Sequence, residues 1–343
     1  MGSILIHKNI KRFLREKLRK EFPQMPRTSM SKLANDLEPI LIKFSSIPPT
    51  ESAIILGLGI RLLTDQIAEE HKVSKDKVSS VASEVLKRFA FELEEGNISE
   101  DSKNITNFFL GCNPEDTEDY SVLVAFDDVI DRIRKYLNKV EKKGKVLNGT
   151  YKGVRLSVIA TGMGSPATAI YMEALARTRT KVVFRVGSAG GLQRNVKLDD
   201  LVIPYTAIRN EGTTLSYAPL AYPAVADIDL VEIARKTCKE LGYTHHVGTI
   251  ITTDAIFQEN MNFVYKWNRL GVLAADMETS TLYVVGARKE LKVLSVLSIS
   301  DNPLLQTRFY DITAHDERKH PGFQNAMMVV LETIRKLGNI KQQ

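Results

Sequence analysis

From about Asn107 onward, short apolar runs rich in β-branched residues alternate with longer stretches of helical spacing. That alternation constrains the fold more than any other feature. The runs are Val122–Ala125, Leu156–Ala160, Val182–Val186, Val247–Thr252 and Val293–Ser300. The helical stretches are Ala167–Arg177, Leu230–Leu241, Met277–Lys289 and Phe323–Leu337. Uninterrupted apolar strands are buried on both faces, and helices with one apolar stripe can cover them. The pattern therefore predicts an α/β fold with a parallel or mixed sheet. No internal repeat or low-complexity tract interrupts it. A chain of 343 residues has room for about two domains of ~150 residues.

Hydrophobic residues make up 43% and charged residues 26% of the chain, which excludes a largely disordered or collagen-like polymer. The longest apolar runs, such as Ser52 to Ile60, fall far short of the ~20 residues of a membrane span, so no membrane partner is expected. Cys112 and Cys238 are too few for a disulfide scaffold and lack metal-ligand spacing. Of the six histidines only His245 and His246 are adjacent, and no HExxH-type pattern occurs. No metal site is expected, and a reducing, cytoplasmic setting fits.

The charge is unevenly spread. Residues 1–32 carry nine basic side chains (Lys8, Lys11, Arg12, Arg15, Lys17, Arg19, Lys20, Arg27 and Lys32) against Glu16 and Glu21. The net charge of the whole chain is +6, so the remainder is near neutral. Ile10, Phe13, Leu14, Leu18 and Phe22 recur at three- to four-residue steps, which predicts a basic amphipathic helix within 1–32, ended by Pro23 and Pro26. Its apolar positions are broken by charge, unlike a secretory signal. Glu16 and Glu21 argue against a transit peptide, and Ile6 against a myristoylation motif. Such a basic stretch attracts nucleic acid or an anionic surface, or is simply a solvated helix face.

Ser45–Thr50 and Gly96–Lys103 read as linkers around a helical region, 51–95. Within it, Thr64–Val81 has the spacing of a helix-turn-helix: Ala68 as the small crossing residue, Val73 in the turn, Val78 and Val81 as anchors of a second helix. Lys75, Asp76, Lys77, Ser79 and Ser80 would form its exposed face. The stretch resembles helix-turn-helix regulators, with Lys72 where a glycine usually supplies φ > 0. DNA is therefore one expected partner. A helical hairpin packed on the body or on a partner is the plainer reading.

Four motifs in the α/β region carry chemistry. Ala160–Ile170 (ATGMGSPATAI) ends a strand, turns on glycines and opens a helix at Ser165-Pro166, a place where backbone N–H groups meet anions. Val182–Gly191 (VVFRVGSAGG) puts Arg185 at the end of an apolar strand, where a cation is costly unless paired; arginine binds oxyanions bidentately. Ala274–Tyr283 (AADMETSTLY) flanks Met277 with Asp276 and Glu278, and a carboxylate there suits vicinal hydroxyls. Ser298–Asn302 (SISDN) leaves Asp301 just past a strand, positioned to protonate a leaving group. Taken singly, each is also consistent with a tight turn or a structural ion pair.

In this order and spacing the motifs resemble the nucleoside phosphorylase/uridine phosphorylase family over residues 107–337. Phe108-Phe109-Leu110-Gly111 and the stretch Glu211–Asp227 (EGTTLSYAPLAYPAVAD) resemble its uridine branch. The resemblance implies a three-layer α/β sandwich around a mixed, partly barrel-like sheet, here with a helical N-terminal extension. It implies a homo-oligomer, dimer or hexamer, with shared active sites. The implied reaction is reversible phosphorolysis of a nucleoside to base and ribose 1-phosphate, with inorganic phosphate as co-substrate and no cofactor. Arg185, Asp301 and Glu278 would be catalytic. Arg132, Arg185, Ser188 and Lys142 would bind phosphate. Met277, Glu278, Gly162 and Phe109 would border the ribose, and Asp301, Asn260, Asn262 and Gly164 the base.

The sequence departs from the family at three places. The Pro-Gly-Asp-Pro-x-Arg phosphate loop matches Asp127–Arg132, so Asp128 replaces the glycine and would repel phosphate; Lys142, near the neighbour-donated arginine, would compensate. The Gln-x-Arg pair that reads uracil becomes Asn260-Met261-Asn262. Asp301 matches the purine branch instead, with Arg318 or Lys319 as its cationic partner, so a purine or broad specificity is favoured. The histidine that reaches the 5′-hydroxyl becomes Phe109. Two other functions compete: a nucleoside-sensing transcription regulator, and a nucleosidase in which Asp128 positions water.

Overall fold

The computed structural model describes residues 2–45, 63–95, 98–307 and 321–340. Residues 46–62, which hold the linker around Pro48 and the start of the 51–95 region, lie outside them, as do Arg318 and Lys319. The chain divides into two compact units, Met1–Ile98 and Ser99–Gln343.

The first unit is helical: α1 (Gly2–Glu21), α2 (Arg27–Ser45), α3 (residues 63–70) and α4 (Lys75–Glu95). The chain breaks from helix at Phe22–Pro26, as two prolines require. The four helices share one core of Leu14, Leu18, Leu33, Leu37, Leu41, Ala68, Val78, Val81 and Val85. The α3–α4 turn has the expected form. Lys72 takes φ 51°, Val73 N–H donates to the Ala68 carbonyl at 2.9 Å, and Val78 and Val81 are buried. Part of α1's charge is paired: Lys11 with Glu38 at 2.8 Å and Lys17 with Glu84.

The second unit is built on one mixed sheet of ten strands. They are β1 (Tyr120–Val124), β2 (Asn138–Lys143), β3 (Val146–Tyr151), β4 (Val154–Ala160), β5 (Val182–Gly191), β6 (Leu201–Asn210), β7 (Ala224–Val225), β8 (His245–Thr253), β9 (Ala274–Asp276) and β10 (Lys292–Asp301). The order is β10-β6-β8-β9-β5-β1-β4-β3-β2, with β7 on β6. β10 also pairs with β5 in parallel, Leu294 opposite Phe184 and Ser298 opposite Ser188. That extra pairing closes β5, β10, β6, β8 and β9 into a ring, and β1, β4, β3 and β2 extend from it as an open wing.

Helices cover both faces. One core packs α6 (Asp127–Arg134), α8 (Ile228–Leu241) and α11 (Pro321–Ile340) on the sheet through Ile133, Ala234, Phe323 and Val330. The other packs α5 (Ile98–Leu110), α7 (Ser165–Leu175) and α10 (Thr279–Arg288) through Leu110, Met172, Leu175 and Leu282. The result is three layers around a mixed sheet, with a helical N-terminal unit.

The strands differ from the sequence expectation in two respects. β5 runs past the apolar run Val182–Val186 to Gly191, because β10 lies along one side of it and β9 caps its end, Gly190 opposite Ala275. The β2–β3 hairpin and β6 lie outside the apolar runs read as strands, although β6 opens on buried Leu201–Ile203. β2 exposes most of its residues, and β6 contains Pro204, exposed Tyr205 and Arg209. Buried Arg209 spends its donors on the following segment, on the carbonyls of Thr214 (2.8 Å), Ala218 (2.7 Å) and Tyr222 (2.8 Å) and on the Thr214 hydroxyl (2.9 Å). It thereby holds much of the Glu211–Asp227 stretch against the sheet.

Candidate active site

A cleft of about 540 Å³ opens at the carboxyl ends of β1, β5 and β10. Crevices outside the carboxyl ends of strands are where open α/β sheets bind ligands. Its floor is Arg185 to Gly190 of β5. Its walls bring Ala125, Phe126 and Val129 from one side, Ala275 to Glu278 from another, and Ser300, Asp301 and Phe323 from a third. Ile256, Phe257 and Glu259 complete it.

Arg185 is the centre of the polar network and is only 6% exposed. Its Nη2 donates to Glu278 Oε2, and its Nη1 stands 3.4 Å from Asp276 Oδ2. Nη1 is buried and makes no hydrogen bond. Asp276 is occupied elsewhere: Thr252 Oγ1 donates to its Oδ1 at 2.8 Å, and the Thr279 amide and hydroxyl donate to its Oδ2 at 3.0 and 2.5 Å. Glu278 Oε1 accepts from Gly164 N–H at 2.7 Å. Burial pushes the Glu278 carboxyl above its ordinary range; the Arg185 guanidinium pulls it back and Asp276 pushes it further. Two carboxylates against one guanidinium leave this buried group acid-rich.

The glycines act locally. Gly162 and Gly164 have φ of 80° and 93°, a region open to glycine. They turn the chain from β4 into α7 so that the Gly164 amide faces Glu278. Gly162 itself does not line the cleft, whereas Met163 between the two does.

Of the residues expected at the site, Arg185, Ser188, Met277, Glu278 and Asp301 line this one cleft, and Gly164 touches it through Glu278. The others lie elsewhere. Arg132 is in the last turn of α6 and outside the lining; the strand-to-helix turn meets the cleft at Ala125–Phe126 instead. Asp128, in the first turn of α6, is likewise outside the lining. Lys142 is exposed on β2 at the sheet's outer edge. Phe109 packs on the α5–α7–α10 core, edge-on to Phe108 with centroids 4.9 Å apart. Asn260 caps α9 (Met261–Arg269), accepting from the Asn262 and Phe263 amides at 3.0 and 3.2 Å. Asn262 is exposed in that helix's first turn.

Glu259 is the polar lining residue that sequence reasoning missed. It follows a short helical turn, Ile256–Gln258, and its amide donates to the Ile256 carbonyl at 3.2 Å. Burial, with Asp301 and Asp276 nearby, pushes its carboxyl up to about 8. Phe257 beside it is 82% exposed at the mouth. Among the described residues no group of three His, Cys, Asp or Glu side chains is arranged to hold a metal ion, and no helix is long and apolar enough to cross a membrane.

Comparison with known proteins agrees with this architecture. A family model described as the Phosphorylase superfamily matches residues 119–337. The chain is 36% identical over 188 residues to a DeoD-type purine nucleoside phosphorylase of Streptococcus uberis, covering 54% of this chain and 78% of that one. It is 31% identical over 196 residues to a guanosine phosphorylase of Halorubrum lacusprofundi, covering 54% and 80%. A crystal structure of uridine phosphorylase from Vibrio fischeri, complexed with 6-hydroxy-1-naphthoic acid, superposes with a TM-score of 0.59 at 30% identity, covering 64% of this chain and 93% of that one. The family model spans well over half of the chain and the same sheet and cleft that hold Arg185 and Glu278: the chain belongs to the Phosphorylase superfamily.

Proposed function

We propose that the chain is a nucleoside phosphorylase that cleaves the N-glycosidic bond of purine nucleosides with inorganic phosphate, giving base and ribose 1-phosphate. One observation carries the reading. Arg185 Nη1 is buried at the cleft floor without a hydrogen bond, and an oxyanion supplies the acceptor it lacks. Phosphate there sits with Ser188 at the ends of β5 and β10. Met277 and Glu278 flank the ribose, and Glu278, already fixed by Gly164 and Arg185, accepts from its hydroxyls. The base then lies toward Asp301, Glu259 and Phe257. As the bond to the base breaks, the ribose gains oxocarbenium character. The phosphate dianion and the Glu278 carboxylate stabilise that charge.

Asp128 stands outside the cleft lining, which favours phosphate over water as nucleophile. A homo-oligomer is part of the reading: Lys142 on the exposed edge strand and Phe109 would serve a neighbour's site. The test is release of base from inosine, adenosine, guanosine, uridine and thymidine with and without phosphate. Equal rates in both conditions, or free ribose as product, would overturn the reading.

A second reading concerns the helical unit. The Lys72 turn, the Val73–Ala68 hydrogen bond and buried Val78 and Val81 favour a helix-turn-helix that binds duplex DNA through the start of α4. Exposed Arg19 and Lys20 end α1 near it, where Lys77 Nζ donates to the Glu21 carbonyl at 3.2 Å. Binding of the 343-residue chain to duplex DNA, weakening linearly in log K with log salt, is the expected result. No binding at low salt would sink it.

A further inference from the structure

The phosphorylase reading needs Arg185 Nη1 to keep its donor for an oxyanion, yet a carboxyl stands beside it. Asp276 Oδ2 lies 3.4 Å away, and no hydrogen bond joins the two. Opposite charges this close in a buried site attract, and a charge-assisted bond between them would use the donor up. Glu278 already fixes the guanidinium at Nη2, so the group left to close the gap is the Asp276 carboxyl. Two threonines hold it.

Thr252 stands opposite Asp276 in the parallel pairing of β8 with β9. Its Oγ1 donates to Asp276 Oδ1 at 2.8 Å and accepts from the Ser280 amide at 2.9 Å. Thr279, the first residue of α10, donates to Asp276 Oδ2 through both its amide and its hydroxyl. The Thr279 hydroxyl also meets that of Ser295 at 2.9 Å, and Ser295 lies opposite Arg185 where β10 pairs with β5. Each threonine is thus anchored at its far side as well as at the carboxyl. Both are fully buried, where polar groups depend on protein partners, and neither lines the cleft.

Resting on the phosphorylase reading, we propose that Thr252 and Thr279 are positioning residues for phosphate: they hold the Asp276 carboxyl short of Arg185 Nη1 and so reserve that N–H for the oxyanion. Without either hydroxyl, an Asp276 oxygen loses a buried donor, and the carboxyl makes good the loss by turning to Nη1. Phosphate must then displace Asp276 from Arg185 before it binds. Its affinity falls by about 10–10²-fold, the worth of one hydrogen bond to a charged group. The ribose contacts assigned to Met277 and Glu278 do not depend on that turn, so the defect is selective for phosphate.

The experiment measures the Kd of inorganic phosphate on the full chain by titration calorimetry, together with KM for phosphate and for the nucleoside that the wild type cleaves fastest. Thr252→Val and Thr279→Val are each expected to raise the phosphate Kd by about 10–10²-fold. KM for phosphate should rise at least about fivefold more than KM for the nucleoside. Thr252→Ser, which keeps the hydroxyl, should stay within about twofold of wild type. If Thr252 acts through Asp276, adding Thr252→Val to Asp276→Ala should change the phosphate Kd by less than about twofold, because the two effects share one path. Unchanged phosphate affinity in either valine variant would overturn the proposal. So would equal rises in both KM values, or a Thr252→Val effect that persists in full beside Asp276→Ala. Should Thr252→Val fail to fold, Thr279→Val carries the same test. A wild type that neither binds phosphate nor cleaves any nucleoside with it would instead overturn the phosphorylase reading itself.

Discussion

The guanidinium of Arg185 lies over the Cα of Gly187, two residues further along the same strand: a Cβ built on Gly187 would stand 2.6 Å from Arg185 Cζ. Side chains two apart on a strand share a face, so Gly187 leaves the space that Arg185 fills. Gly187→Ala should therefore behave as a phosphate-site mutation. We expect kcat/KM for phosphate to fall at least 10²-fold, approaching the effect of Arg185→Ala, with a stability cost of about 1–3 kcal/mol. Steady-state kinetics with varied phosphate, alongside thermal melts, checks both figures.

Asp128 stands where the resemblance would put a glycine of a phosphate loop, and it lies in the first turn of α6 and outside the cleft lining. Asp128→Gly should leave the KM for phosphate within about twofold of wild type, since a charge that does not line the cleft is partly screened by water and salt. A fall much greater than that would mean that Asp128 reaches the phosphate.

Arg209 makes its hydrogen bonds to a segment with little regular structure of its own. Arg209→Ala removes the donors and leaves buried carbonyls without partners. The expected cost is about 3 kcal/mol, with faster proteolytic cleavage between residues 214 and 222. A Tm unchanged from wild type would contradict this.

Glu332 ties α11 to the β3–β4 turn. Tyr151 Oη, Lys152 Nζ and Arg335 Nε all donate to it, at 2.6, 2.5 and 2.6 Å. Burial works against its ionised form, but the bonds from Lys152, Tyr151 and Arg335 outweigh it and hold the carboxyl at about 2. A carboxyl lowered by folding stabilises the fold above its unfolded pKa of ~4.3 and loses that contribution as pH falls toward 2. Glu332→Gln should cost about 2 kcal/mol at pH 7, and the gap to wild type should close below pH ~3. Melting curves across that range decide it.

The central strands were legible because burial on both faces leaves an unbroken apolar run, as in Val182–Val186. β2 was not, because an edge strand of Asn, Lys and Glu exposes most of its residues. β6 was not, because Pro204, Tyr205 and Arg209 break its run. Arg185, Ser188, Met277, Glu278 and Asp301 line one cleft; the sequence could group them because Gly-rich and acidic motifs at the ends of apolar strands stand in the order that a known family uses. Glu259 sits in a polar loop, and it acquires meaning when the fold sets it near Asp301. Asn260 shows the opposite case. An asparagine before a helix is a local capping signal, and alignment to a distant motif obscured it.

The parallel pairing of β5 with β10 joins segments about a hundred residues apart in sequence. Contacts of that range form late, because loop-closure entropy must be met before they stabilise anything. The cleft floor comes from β5, and Ser300 and Asp301 from the end of β10. An intermediate lacking β10 would hold Arg185 with nothing opposite it at the base end. Recovery of activity during refolding should thus lag behind recovery of helix content, making catalysis a timer for the last strand to dock.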